Sequence, residues 1–122
     1  VGGRFDLIVM DVSFISATYI LPRFSELLEP AGEAVVLIKP QFEVGRALLG
    51  KGGVVRDPAA HRAAIDRVFE SARTSGLSPI GLTASPIEGG DGNREFLCLC
   101  IKTSGSVHTT VTETMMDKLV NT

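Results

Sequence analysis

The chain has 122 residues, 44% of them hydrophobic and 21% charged, with a formal net charge of −2. That size and mixture suit one small globular domain. The charge balance gives no strong electrostatic grip on nucleic acid or an anionic membrane, no apolar run approaches the ~20 residues of a membrane span, and no basic and apolar leader is recognised, so a cytoplasmic protein is expected.

The first element in chain order is Phe5 to about Val12, a continuous apolar run ending in Asp11. Such a run reads as a strand buried on both faces, as in a parallel sheet. Ser13 and Ser16 are helix-cap candidates. Ile20, Leu21, Phe24, Leu27 and Leu28 follow at helical spacing, with Pro22 suited to a first helical position. Pro30 and Gly32 end that helix, and a second strand runs from Glu33 to Lys39. Pro40 to Arg56 is a long glycine-bearing loop, expected on the surface and mobile because it has little to bury. Asp57 and Pro58 start a helix with an apolar stripe of Ile65, Val68, Phe69 and Ala72, stopped by Gly76. A third strand covers Leu77 to Ala84. Gly89 to Asn93 is turn chemistry, and a fourth strand, expected antiparallel, runs from Glu95 to Lys102. Residues 103–122 read as a flexible tail with at most a short helix around Met115, Met116, Leu119 and Val120.

The order β-α-β-α-β-β predicts an α/β fold: an incomplete Rossmann-like sheet of parallel strands plus one antiparallel strand. The first strand is left at an edge, where unpaired N–H and C=O groups invite pairing, so an oligomer is expected with that edge covered by another chain or by the tail from Thr103 onward. In open α/β sheets ligands bind outside the carboxyl ends of the strands. Two such ends carry charge here, Asp11 and Lys39, which places an acid and a base on one rim.

Other chemistry is thinner. Cys98 and Cys100 are the only cysteines. They share a strand face and read as buried thiols, with no metal-ligand spacing anywhere in the chain. Gly45 to Gly52 has the G-x-x-x-x-G-K spacing of a phosphate loop, but Gly52 stands where Ser or Thr would hold magnesium, and four residues intervene before the next helix capping acid. Nucleotide hydrolysis is therefore rejected, while Arg46, Lys51 and Arg56 stay as candidate contacts to RNA phosphates. His61 reads as an exposed helix residue.

Four blocks carry a family resemblance: Asp11-Val12-Ser13-Phe14-Ile15-Ser16, Leu37-Ile38-Lys39-Pro40-Gln41-Phe42-Glu43, Lys51-Gly52-Gly53-Val54-Val55-Arg56-Asp57-Pro58, and Ser85-Pro86-Ile87 through Gly92-Asn93-Arg94-Glu95-Phe96. In order and spacing they resemble the TlyA (haemolysin A) family of FtsJ-like methyltransferases over roughly residues 5 to 102. The resemblance implies S-adenosylmethionine as cofactor, ribosomal RNA or a ribosomal subunit as partner, and methylation of ribose 2′-hydroxyls. It also implies that Asp11, Lys39 and Glu95 match the last three members of a Lys-Asp-Lys-Glu tetrad around the target hydroxyl. Glu95 is preferred to the neighbouring Glu88 by its Asn93-Arg94-Glu95-Phe96 context. Asp11, Val12 and Ser13 match donor-contacting positions. A lysine amine beside the weakly nucleophilic hydroxyl can take its proton, and carboxylates orient that amine.

The first tetrad lysine, the glycine-rich donor turn and the S4-like RNA-binding module of the family have no counterpart in this sequence. The chain thus resembles the carboxyl-terminal half of the methyltransferase domain and is expected to be inactive alone. A non-catalytic binding module of the same fold is the alternative. Membrane lysis, suggested by the haemolysin name, ranks last because no basic amphipathic helix is present.

Overall fold

The computed structural model of the chain describes residues 5–11, 16–44, 51–86, 92–103 and 111–121. Strand β1 (Phe5–Met10) leads through a 3-10 turn (Ala17–Tyr19) to α1 (Leu21–Leu27), β2 (Leu28–Ile38) and the single-turn α2 (Pro40–Glu43). A second 3-10 turn (Lys51–Gly53) precedes α3 (Pro58–Thr74), β3 (Leu77–Ala84), β4 (Phe96–Lys102) and α4 (Glu113–Val120).

The sheet order is β1-β2-β4-β3. β1 pairs parallel with β2, and β4 pairs antiparallel with both β2 and β3. Three strands therefore share one direction and β4 alone opposes it, as the element order predicts.

Period-2 alternation sorts the sheet's side chains. Met10, Ala34, Val36, Ile38, Phe96, Cys98 and Cys100 are buried on one face. Against them α3 lays Ala64, Ile65, Val68, Phe69 and Ala72, with α1 and α4 flanking it. Each large side chain buried there contributes about 1.5–3 kcal/mol. Asp57 caps α3 by accepting from Ala59 N–H at 2.9 Å, and Gly76, at φ 82°, supplies the left-handed stop.

Three expectations need correction. β1 is buried on one face only: Phe5, Leu7 and Val9 stand out from the other, with Val9 68% exposed. The described helices gather on α3's side of the sheet, so a run that reads as doubly buried meets solvent. The second strand also begins five residues earlier than its apolar core implies. Leu28 is fully buried and pairs with Phe5. Lys102 Nζ donates to Ser25 O (2.7 Å) and Leu28 O (2.9 Å), satisfying the end of α1 before Pro30 is reached. The extra β2 residues form an irregularity between the Phe5–Leu28 and Leu7–Glu33 pairs. Ala31 takes a left-handed φ of 65° there, and a Cβ on Gly32 would lie 2.7 Å from Glu29 O.

Finally, the stretch from Pro40 to Arg56 is not surface-lying throughout. Pro40 and Glu43 in α2 are buried, as are Val54 and Val55. Leu48 and Leu49 lie outside the described residues. At the other end of the chain, α4 is capped by Thr112, whose hydroxyl accepts from Met115 N–H. Val111, Met116 and Val120 join the core, and Arg94 donates to the Leu119 and Val120 carbonyls at 2.9 and 3.3 Å. α4 contacts α3 and β3, at the end of the sheet remote from β1.

Candidate active site

Strand register brings three charged residues to one rim. Met10 pairs with Val36 in the parallel β1–β2 ladder, so Asp11 leaves β1 at its carboxyl end. Ile38 pairs with Phe96 in the antiparallel β2–β4 ladder, so Lys39 and Glu95 follow opposite one another. The Glu95 carbonyl also accepts from Ser85 N–H at 2.8 Å, extending the β3–β4 pairing to the same level.

Lys39 Nζ lies 2.5 Å from Asp11 Oδ1. The lysine side chain is 11% exposed and the aspartate 59%, so the pair has a protein side and a solvent side. The ammonium stem is packed, and the carboxylate opens outward, where a ligand would approach. Glu95 is buried, and its Oε2 accepts from Gln41 Nε2 at 3.0 Å.

The turn after Lys39 is itself fastened. Pro40 begins α2, and the Val44 N–H closes the turn on Pro40 O at 3.0 Å. The buried Glu43 carboxylate accepts from the Ser16 hydroxyl, and the guanidinium of Arg67 on α3 stands 3.6 Å away. Ser16 is also 2.7 Å from Thr18 Oγ1. The segment after β1 and the turn after β2 are thereby tied both at Asp11–Lys39 and at Ser16–Glu43.

A second polar cluster supports the segment before α3. The buried Asn93 accepts from Val55 N–H at 2.9 Å and donates to Gly53 O at 3.1 Å. His61, read from sequence as exposed, is buried, with Nε2 2.8 Å from Val55 O. A carbonyl only accepts, so Nε2 carries the proton. The ring meets Phe96 edge-on at 5.6 Å between centroids. The first turn of α3 faces this segment, and the Val55 carbonyl is what draws the imidazole inward. Gly52 and Gly53 both have positive φ, and α3 starts only at Pro58. The glycine segment thus does not open directly into a helix, as a phosphate loop would.

Of the candidate RNA contacts, Arg56 is exposed. Lys51 starts the second 3-10 turn, and Arg46 lies outside the described residues, as do Val12, Ser13 and Glu88. Among the described residues no cluster of His, Cys, Asp or Glu is arranged to hold a metal ion, and no helix is long and apolar enough to cross a membrane. Reasoning from sequence missed Gln41, Glu43, Asn93 and the burial of His61. The first three lie inside the motif blocks, which was the signal available for them.

Comparison with known proteins gives the family of the chain. The model of the FtsJ-like methyltransferase family matches residues 1–102. A protein named as an rRNA methyltransferase, YqxC of Bacillus subtilis, is 46% identical over 95 residues, covering 78% of this chain and 34% of its own length. The 16S/23S rRNA (cytidine-2′-O)-methyltransferase TlyA of Mycobacterium tuberculosis is 42% identical over 96 residues, covering 79% and 36% respectively. The chain thus spans about a third of the length of these curated relatives. A solved structure described as a hemolysin from Streptococcus thermophilus superposes with a TM-score of 0.91 at 39% identity, over 98% of this chain and 42% of that one.

Proposed function

The chain belongs to the FtsJ-like methyltransferase family, and from that membership we propose that it carries the acceptor side of an S-adenosylmethionine-dependent enzyme that methylates ribose 2′-hydroxyls of ribosomal RNA. Asp11, Lys39 and Glu95 are its catalytic group. Arg56, with Arg46 and Lys51, contacts RNA phosphates. The site of action is the cytoplasm, where ribosomes are.

S-adenosylmethionine, when bound, supplies a methyl group already activated by its sulfonium. Asp11 pairs with the Lys39 ammonium and Glu95 adds a second carboxylate to the same rim, and that surplus of negative charge suits a cationic ligand. Asp11, Val12 and Ser13 are the residues that would hold the donor. Lys39 does the proton work: Asp11 aims its Nζ, and its amine form takes the 2′-hydroxyl proton. Glu95, opposite Lys39 in the ladder, orients the same hydroxyl. Much of the rate then comes from alignment, because holding two reactants in line removes most of the entropic barrier. The 122-residue span by itself neither binds the donor tightly nor turns over, since the donor-side motifs of the family have no match in it.

The observation that carries the reading is the Lys39–Asp11 pair at the carboxyl end of two parallel strands, with Glu95 across the register. The experiment is rRNA methylation by the full-length protein with Lys39→Ala. We expect no methyl transfer and an unchanged circular dichroism spectrum; full activity would remove Lys39 from the mechanism. The open β1 edge and its exposed Phe5, Leu7 and Val9 also support self-association of the isolated chain.

A further inference from the structure

Gln41 lies two residues beyond Lys39 and reaches across to the residue just before β4, where its Nε2 donates to Glu95 Oε2 at 3.0 Å. Its amide orientation is set by that contact. A carboxylate accepts only, so a reversed amide would press Oε1 against another oxygen. In the orientation held, Oε1 is buried without a hydrogen-bond partner among the described residues. An orphaned buried acceptor is costly, and native proteins carry few of them. A side chain kept there for packing alone would be apolar. The molecule instead bears the orphan in order to keep an N–H donor on Glu95.

We propose that Gln41 is a positioning residue that fixes the Glu95 carboxylate relative to Lys39; this rests on reading the rim as the methyl-acceptor site. The geometry makes the link direct. Pro40 is buried and starts α2 immediately after Lys39, so the backbone that carries the amine also carries the amide. Glu43 at the end of the same turn is anchored to Ser16. A shift of Glu95 would have to move the turn that follows Lys39, so acid and base keep a constant separation while a nucleotide enters.

Two measurements test this. In the 122-residue chain, nitrogen–proton spectra follow the Gln41 side-chain amide. Glu95→Gln should move its resonances and speed its exchange with solvent by about tenfold, in line with loss of a hydrogen bond to a charged group. Unmoved resonances would overturn the contact. In the full-length protein, Gln41→Met should lower kcat about tenfold or more while KM for the RNA and the melting temperature hold nearly constant. Gln41→His, which presents a ring N–H near the position of Nε2, should recover most of that loss. Wild-type turnover in Gln41→Met, or a parallel fall of melting temperature and kcat in both variants, refutes the positioning role. If Lys39→Ala and Glu95→Gln both keep full activity, the acceptor-site reading fails first. If those two are inactive and Gln41→Met is not impaired, the role of Gln41 fails alone.

Discussion

Ser16 donates its hydroxyl proton to the buried carboxylate of Glu43, joining the segment after β1 to the turn after β2. The two residues are 27 apart in sequence, and each lies a few positions beyond a rim charge. Ser16→Ala removes a hydrogen bond to a charged group in a closed environment. It should destabilise the chain by about 1.5–3 kcal/mol, read as a lower midpoint in thermal or urea unfolding. A change below about 0.5 kcal/mol, the range of ordinary surface substitutions, would mean that the contact does not brace the rim.

Asn93 performs a similar task with backbone partners, accepting from Val55 N–H and donating to Gly53 O. Asn93→Ala leaves a buried N–H with no acceptor, so a loss of about 2–3 kcal/mol is expected. The urea slope should stay constant, since the surface exposed on unfolding hardly changes. Asn93→Asp keeps the acceptor and loses the donor, and should fall between wild type and alanine. An alanine variant as stable as the parent would show that Val55 finds another partner.

The open side of β1 should govern association. Leu7 and Val9 are 56% and 68% exposed on an edge strand. Sedimentation of the isolated chain should show concentration-dependent self-association. Leu7→Lys with Val9→Lys should return it to a monomer with little change in stability, because charged side chains protect edges and these two positions bury little. A wild-type chain that sediments as a monomer at high concentration would defeat this expectation.

Cys98 and Cys100 face each other with sulfurs 3.5 Å apart, both fully buried. The hydrogen bond to Cys100, then burial, then the charge of its neighbour push the Cys98 thiol well above the ordinary 9.0. The folded state therefore holds this proton more tightly than the unfolded chain does. The resulting stability is fully present below pH 9.0 and is lost progressively as pH rises above it. Unfolding free energy measured against pH should fall along that alkaline limb, and Cys98→Ala should flatten it. Rapid alkylation of both thiols in the folded chain at pH 8 would contradict the burial of the two sulfurs.

Much of the scaffold can be read from local pattern. The stripe of Ile65, Val68, Phe69 and Ala72 marks α3, Asp57 and Pro58 mark its start, and Leu77–Ala84 is bounded as observed. The alternation in Phe96–Lys102 places Cys98 and Cys100 on one face. Charges at the ends of two apolar runs were enough to put Asp11 and Lys39 on a common rim, because strands feeding helices in succession point the same way. The motif blocks brought in Glu95.

What periodicity cannot state is which distant segment a side chain will meet. It marks Leu28 as apolar but not as the partner of Phe5, so the strand start at Leu28 followed from pairing and from the Lys102 ammonium closing α1. His61 falls in phase with the Ile65, Val68 and Ala72 stripe of α3, but its polar ring argues against burial. Only the Val55 carbonyl and the edge of Phe96, brought there by the tertiary fold, make an interior position favourable. The buried Glu43 and Asn93 and the half-buried Gln41 belong to the same class: polar groups whose partners lie between 27 and 54 residues away. Sequence alone determined most of the elements, the strand directions and the charges at the strand ends, since those follow from interactions within a few residues. Tertiary structure alone decided which polar side chains leave water, because that requires each one to find a partner that replaces its hydration.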